Sequence, residues 1–272
     1  MRQLQGHYAE LCITDLTSRQ VLDYLIFLQK ERQLAGSTVN QAVSALRCFY
    51  RDHLERKWKI WAKVKIQREE PLPHVLTREQ VKFLLRTFRD GRYRAFFTVM
   101  YQCGLRISEV RHIRPKDIDG KRLVIRVCVT KGGKHREVPI TPELLIRLRR
   151  FWKSHQNPDW LFPAPGRGWQ KLGQSLRQAL YEGKKPISDS ALWNAFNVAK
   201  YECGLMKKHE KVDTHTLRHS FATHMLEAGC SVRQVSAYLG HKSLKPTLVY
   251  LHLTEVSEGQ AREALKTLAT GL

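Results

Sequence analysis

Along nearly the whole of this chain apolar residues recur at the spacing of a helix, and the period changes only once. At "RLVIRVCVT" the pattern becomes a β-branched run. "KGGK" interrupts it as a turn, and "HREVPI" resumes it as a second strand. One hairpin in a helical background restricts the fold to a mostly α chain with a small antiparallel β-sheet.

The helical segments fall into two groups. Thr17 and Gln20 have the spacing of a capping box, and Val21, Leu22, Leu25, Ile26 and Leu28 form a stripe behind them, which predicts a helix over 17–33. Ser37 opens a second, reaching about Arg56, and the first dozen residues supply a short third. These make a helical unit over 1–58. From 59 to 74 the pattern dissolves into "KIWAKVKIQREEPLPH", with Pro71 and Pro73 and scattered charge, and the expectation is a linker. Regular structure restarts at Thr77, so the second unit covers 75–272. Within it Gly104, Gly229 and Gly240 stand where helices end.

Charge indicates the partner. Lys and Arg number 47 against 25 Asp and Glu, a formal balance of +22 over 272 residues. A positive field spread along the whole length favours a polyphosphate backbone, and double-stranded DNA is the expected ligand. A generally basic protein, or one that touches anionic membrane, is the competing reading. Cys12, Cys48, Cys103, Cys128, Cys203 and Cys230 show neither CxxC spacing nor a zinc pattern and read as reduced thiols. The N-terminus lacks an apolar signal segment, and no run reaches the roughly 18 apolar residues of a membrane span. The expected location is the cytoplasm, on the nucleoid when DNA is bound.

Several residues stand out as chemistry. "HTLRHSFATHML" puts His215 and Arg218 on one helical face while Leu217, Phe221 and Met225 supply apolar positions. Arg106 lies between two helices in "CGLRISEV", Lys131 at the hairpin tip, His241 after Gly240, and Tyr250 nine residues further on. Two arginines can grip the oxygens of one phosphate. A lysine on a turn can protonate a leaving alkoxide, a histidine can take up the proton of an attacking hydroxyl, and a tyrosine hydroxyl can attack phosphorus. Lys134 competes with Lys131, and His215 with His219 has the i, i+4 spacing of a zinc pair, though no carboxylate or thiol nearby completes one.

Taken in order, these segments resemble the tyrosine recombinase (phage integrase) family over nearly the whole chain, most strongly from Thr77 onward. "GLRISEV" is similar to the family's first box, "TKGGKHREVPI" to its hairpin box, "HTLRHSFATHML" to its His-x-x-Arg box, "YLGHKS" to the next, and "LVYLHL" to the nucleophile segment. The resemblance implies catalytic roles for Arg106, Lys131, His215, Arg218, His241 and Tyr250. It also implies a helical core-binding domain and a mixed α/β catalytic domain that close around duplex DNA. Tyr250 would form a 3′-phosphotyrosyl bond, four protomers would exchange strands between two duplexes through a Holliday junction, and neither cofactor nor metal nor ATP would be needed. Glu109, one turn from Arg106, is expected either to hold that arginine or to be a solvated helix residue. His219 and His224 need no catalytic role in this scheme. Pro246, where the family often has threonine, is expected to start the tyrosine helix. The tail after Tyr250 is expected to dock on a neighbouring protomer, with packing on its own domain as the alternative. The first unit is expected to be short, with part of its first helix missing, and no additional arm-type DNA-binding domain is expected ahead of it. A non-catalytic DNA-binding protein and a type IB topoisomerase are the competing functions. The compact form and high charge fit a mobile-element enzyme as well as a housekeeping one, and an integrase or transposon recombinase of a mobile element is the expectation.

Overall fold

The computed structural model describes residues 1–64, 72–128, 135–205 and 212–254. The chain divides into two units, Met1–Pro71 and Leu72–Leu272.

The first unit is helical throughout: α1 (Arg2–His7), α2 (Ser18–Lys30), α3 (Gly36–Arg47) and α4 (Ile60–Lys63), with a π-helical segment Cys48–His53 continuing α3. The Thr17–Gln20 box caps α2 in both directions, the Thr17 hydroxyl accepting the Gln20 amide N–H and the Gln20 side chain accepting the Thr17 amide N–H. Val21, Tyr24, Leu25 and Leu28 of α2 meet Val39, Val43 and Leu46 of α3 in one apolar core. That core is closed by a residue from the expected linker. Trp61 is 8% exposed and belongs to the core, and its carbonyl accepts a hydrogen bond from Arg47 Nη2 at 2.9 Å. The start of the 59–74 stretch is therefore a short helix packed on the first unit. Its lysines break up the apolar period, but Trp58, Ile60 and Trp61 carry enough apolar area to bury it. Residues 65–71 lie outside the described residues.

The second unit is built from α5 (Arg78–Thr87), α6 (Gly91–Gln102), α7 (Ile107–Arg111), β1 (Ile118–Asp119), β2 (Val124–Cys128), β3 (His135–Pro139), α8 (Pro142–Lys153), α9 (Leu176–Tyr181), α10 (Asp189–Glu202), α11 (Thr214–Glu227), α12 (Val232–Leu239) and α13 (Lys245–Leu248). A 3₁₀ turn over Val249–Leu253 continues α13. The sheet runs β1-β2-β3 with antiparallel neighbours, and Ile125 pairs with Val138 and Val127 with Arg136. Ile125, Val127 and Val138 face inward, where Phe96, Phe97, Met100 and Phe162 fill the core. The hairpin expected from the sequence is β2–β3, and its turn lies outside the described residues. β1 was not expected, because two residues carry no period to read.

Helix α6 is buried along most of its length, and α11 crosses it. Helix α11 has almost no exposed face: Leu217, Arg218, Ser220, Phe221, Ala222, Thr223 and Leu226 are all buried. A polar side chain on such a helix points where the fold directs it.

Candidate active site

Gly104 makes the first corner of the site. Its φ of +60° lets the chain leave α6 sharply, and a Cβ there would stand 2.3 Å from Phe221 Cδ1. The corner delivers Arg106 to the N-terminus of α7 with its side chain 40% exposed. Glu109, one turn on, accepts the Arg106 amide N–H at 2.8 Å and Arg106 Nη1 at 3.1 Å. The expected anchoring of Arg106 by Glu109 is thus present. At 8% exposure the carboxylate is not a solvated one.

Glu109 also has a partner that sequence reasoning missed. Arg136 of β3 donates Nη1 to Oε1 at 2.8 Å and Nη2 to Oε2 at 2.9 Å, and its Nε donates to the Tyr238 carbonyl. Burial would raise the Glu109 pKa. The Arg136 hydrogen bonds, the Arg106 amide and the guanidinium charges outweigh it, so the carboxyl is held below its ordinary value.

Arg218 is buried, its side chain 5% exposed, with Nη1 3.8 Å from Glu109 Oε2. It donates Nη1 to the Gly104 carbonyl and Nη2 to the Leu239 carbonyl, each at 2.7 Å. Burial first and then the Arg106 charge lower its pKa to about 10, so it stays cationic at neutral pH.

His241 follows Gly240, whose φ of +66° caps α12 in the left-handed conformation. Its Nε2 lies 3.1 Å from Arg218 Nη2 and its Nδ1 2.8 Å from Thr247 Oγ1. A guanidinium can only donate, so Nε2 accepts, and the ring proton sits on Nδ1 and goes to Thr247. Burial first, then the charges of Arg218, Arg106 and Arg136, lower the His241 pKa to about 4. The imidazole is therefore neutral. Thr247 is buried one residue after Pro246, which lies in the first turn of α13 as expected.

Tyr250 is only 4% exposed, among Phe221, Leu226, Val235 and Leu239. Its Oη lies 2.8 Å from His219 Nδ1. Burial raises the phenol's pKa, and the charges of Arg218 and Arg106 oppose that rise. Burial, His215 and Arg218 together lower the His219 pKa against the pull of Asp213. Four of the six expected residues, Arg106, Arg218, His241 and Tyr250, are thus joined by hydrogen bonds or by electrostatic influence. His215 is exposed at the start of α11 and perturbs His219. Lys131 lies outside the described residues. His219, expected to need no catalytic role, is the residue whose ring meets the Tyr250 hydroxyl. The available signal was its position directly after Arg218. His224 plays a structural part, its Nδ1 lying 2.9 Å from the Tyr101 hydroxyl.

Beside Arg106 a cavity of about 650 Å³ is walled by Glu109, His112, Arg114, Lys116 and Trp160. The Arg114 guanidinium lies 5.2 Å from the Trp160 ring centroid. Among the described residues no group of three or more His, Cys, Asp or Glu is arranged to hold a metal ion. Nor is any helix among them long and apolar enough to cross a membrane.

Residues 74–256 match the phage integrase family, and residues 2–60 match the phage integrase N-terminal SAM-like domain. The chain belongs to the phage integrase family of tyrosine recombinases. Among relatives in this family is a putative integrase/recombinase of Sinorhizobium fredii, 36% identical over 242 residues, covering 88% of this chain and 72% of that protein. Tyrosine recombinase XerA of Pyrococcus horikoshii is 29% identical over 256 residues, covering 93% and 82%. The solved structure of the XerH site-specific recombinase bound to palindromic difH substrate, a post-cleavage complex, superposes with a TM-score of 0.70. It covers 97% of this chain and 76% of that one at 18% identity, a likeness of fold.

Proposed function

We propose that this integrase-family chain is a site-specific DNA recombinase that cuts and rejoins duplex DNA through Tyr250. Arg106 and Arg218 grip the non-bridging oxygens of one backbone phosphate and stabilise the charge that builds on phosphorus. Tyr250 Oη attacks, giving a 3′-phosphotyrosyl bond and a free 5′-hydroxyl. Lys131 supplies the proton to the departing 5′-oxygen. His215 completes the phosphate's hydrogen-bond shell, while His241, held neutral and oriented by Thr247, accepts from Arg218 Nη2 and steadies that guanidinium. The free hydroxyl of one duplex then attacks the phosphotyrosine of the other. Four protomers on two duplexes exchange strands in pairs, through a Holliday junction. The energy of the broken phosphodiester is retained in the phosphotyrosyl bond, and the two guanidinium groups supply the positive charge, so the reading calls on no cofactor.

In this reading the first unit, including the helix Ile60–Lys63 that packs on it, is the core-binding domain and 75–272 the catalytic domain, acting on DNA in the cytoplasm. The cavity walled by Arg114 and Lys116 extends the phosphate track beyond Arg106. The observation that carries the proposal is the clustering of Arg106 and Arg218 around Glu109, with His241 against Arg218 and the buried hydroxyl of Tyr250 within reach of both guanidinium charges. A protein that only binds DNA has no use for that arrangement.

The test is covalent trapping. Labelled duplex from around the protein's own locus, nicked so that the 5′-hydroxyl fragment diffuses away, is incubated with the protein and run on a denaturing gel. A retarded band that forms with the natural chain and disappears in Tyr250→Phe is expected. Tight DNA binding with no covalent product on any fragment would refute the recombinase reading and favour a binding protein.

A further inference from the structure

We propose that His219 is the proton acceptor for Tyr250. The inference rests on the reading that Tyr250 is the nucleophile, and it adds a catalytic residue to that site. As Tyr250 Oη bonds to phosphorus, its O–H bond breaks and the proton passes to His219 Nδ1. The phosphorus–O5′ bond breaks in the same displacement, and the departing oxygen takes its proton from a different group. In the return step the 5′-hydroxyl attacks and gives its proton back to the group that supplied it, Tyr250 leaves, and the His219 imidazolium returns its proton to the phenolate. Charge and protons balance over the cycle with no further reactant.

Geometry carries the assignment. Among the described residues the hydrogen bond of the Tyr250 hydroxyl runs to His219 Nδ1, at 2.8 Å, with the ring centroids 5.7 Å apart. His215, which the proposed function places at the phosphate, is exposed on α11, and among the described residues no hydrogen bond joins it to Tyr250. Both partners sit on rigid supports. His219 lies between the buried Arg218 and Ser220, and Tyr250 is packed against Phe221 and Leu239. A proton acceptor fixed within hydrogen-bond reach of the group it serves meets the first requirement for a general base.

The protonation states agree with that role. Burial keeps the proton on Tyr250 in the resting protein. A phosphate held by Arg106 and Arg218 would bring negative charge beside the phenol and hold the proton more firmly. Attack therefore needs an acceptor at the oxygen itself. The groups that act on His219 are His215 and Arg218, which disfavour its charge, and Asp213, which favours it. With burial, the balance leaves the ring neutral at physiological pH, with the Nδ1 lone pair available when the proton is on Nε2.

Two measurements on the full chain test this. In the first, histidine ring ¹⁵N resonances are recorded without DNA, and His219 is identified from the spectrum of His219→Gln. Nδ1 should be unprotonated and hydrogen-bonded, and its signal should move in Tyr250→Phe. A proton on Nδ1, or a signal unmoved by Tyr250→Phe, overturns the proposal whatever the protein's activity. In the second, single-turnover cleavage of the nicked duplex is followed in His219→Gln, which keeps a hydrogen-bonding side chain of similar reach but cannot take up a proton. A loss of about 10²–10⁴-fold with unchanged DNA binding and melting temperature is expected. A rate within about threefold of the natural chain would show that His219 merely positions the ring, and the proposal would fall. Should the natural chain itself form no covalent product, the recombinase reading fails, and the ring spectra still decide separately who holds the Tyr250 proton.

Discussion

Replacing Glu109 with glutamine removes one charge from the centre of the arginine cluster with almost no change of shape. In the folded chain each carboxylate oxygen accepts two hydrogen bonds. Oε1 takes Nη1 of Arg136 and Nη1 of Arg106, and Oε2 takes Nη2 of Arg136 and the Arg106 amide. Glutamine presents an NH₂ in place of one oxygen, so two donors lose their acceptor and face another donor. At about 1.5–3 kcal/mol for a hydrogen bond to a charged group, the direct loss is about 3–6 kcal/mol. Arg136 and Arg218 are also left as buried charges without a counter-ion, and breaking such a pair costs about 3–5 kcal/mol. These two descriptions overlap, so the expected destabilisation is about 4 kcal/mol. In a unit of this size that corresponds to a melting temperature lower by about 10 °C. The native carboxylate's pKa is depressed, so its stabilisation persists at neutral pH and is lost only as the pH falls through that depressed value. Urea unfolding at pH 7 gives the number, and a cycle with Arg136→Met gives its origin. With Arg136 already removed, Glu109→Gln should cost at least about 2 kcal/mol less. A loss below about 1 kcal/mol, or strict additivity of the two changes, would refute the view that Glu109 holds the cluster together.

Three further outcomes follow from the same geometry. Gly104→Ala should destabilise by about 2–4 kcal/mol, combining a left-handed φ with a Cβ pressed into the Phe221 ring, and urea unfolding within about 0.5 kcal/mol of the natural chain would contradict the placement of that ring. Thr247→Val should cost about 1 kcal/mol and, under the proposed function, slow single-turnover cleavage about tenfold, because His241 loses the acceptor that fixes its tautomer. An unchanged cleavage rate would show that Arg218 alone orients the ring. His155, 1% exposed, and His241 both have pKa values lowered to about 4, chiefly by burial, whereas the unfolded chain binds their protons from about pH 6.5 downward. Unfolding should therefore become easier as the pH drops from about 6.5 to about 4, by up to about 3 kcal/mol for His155 and less for His241, which water reaches. Urea midpoints that stay level across that range would disprove the neutral burial of these rings.

What could be read from the sequence was local, and what could not was pairwise across long separations. The capping residues Thr17, Thr77 and Thr141 and the corner at Gly240 declare themselves within four residues, since the groups they satisfy lie in the same turn. The stretch at Trp61 failed that test because its burial depends on Arg47 and the core of α2 and α3. His219 failed it too, for its partner lies 31 residues away on a different element. Arg136 is the instructive case, because the strand pattern did contain a clue. Residues two apart on a strand share a face, and Val138 is buried, so Arg136 must point inward as well. A guanidinium on the core side of a strand requires a carboxylate, and Glu109 lies beside Arg106 in a segment already singled out. The period therefore predicts a charge pair between the hairpin and the first arginine box. The structure adds why it matters: Arg136 is the second residue of β3, the strand that follows the Lys131 segment in the chain. Its bonds to Glu109 and Tyr238 tie that strand to the helices carrying Arg106 and His241.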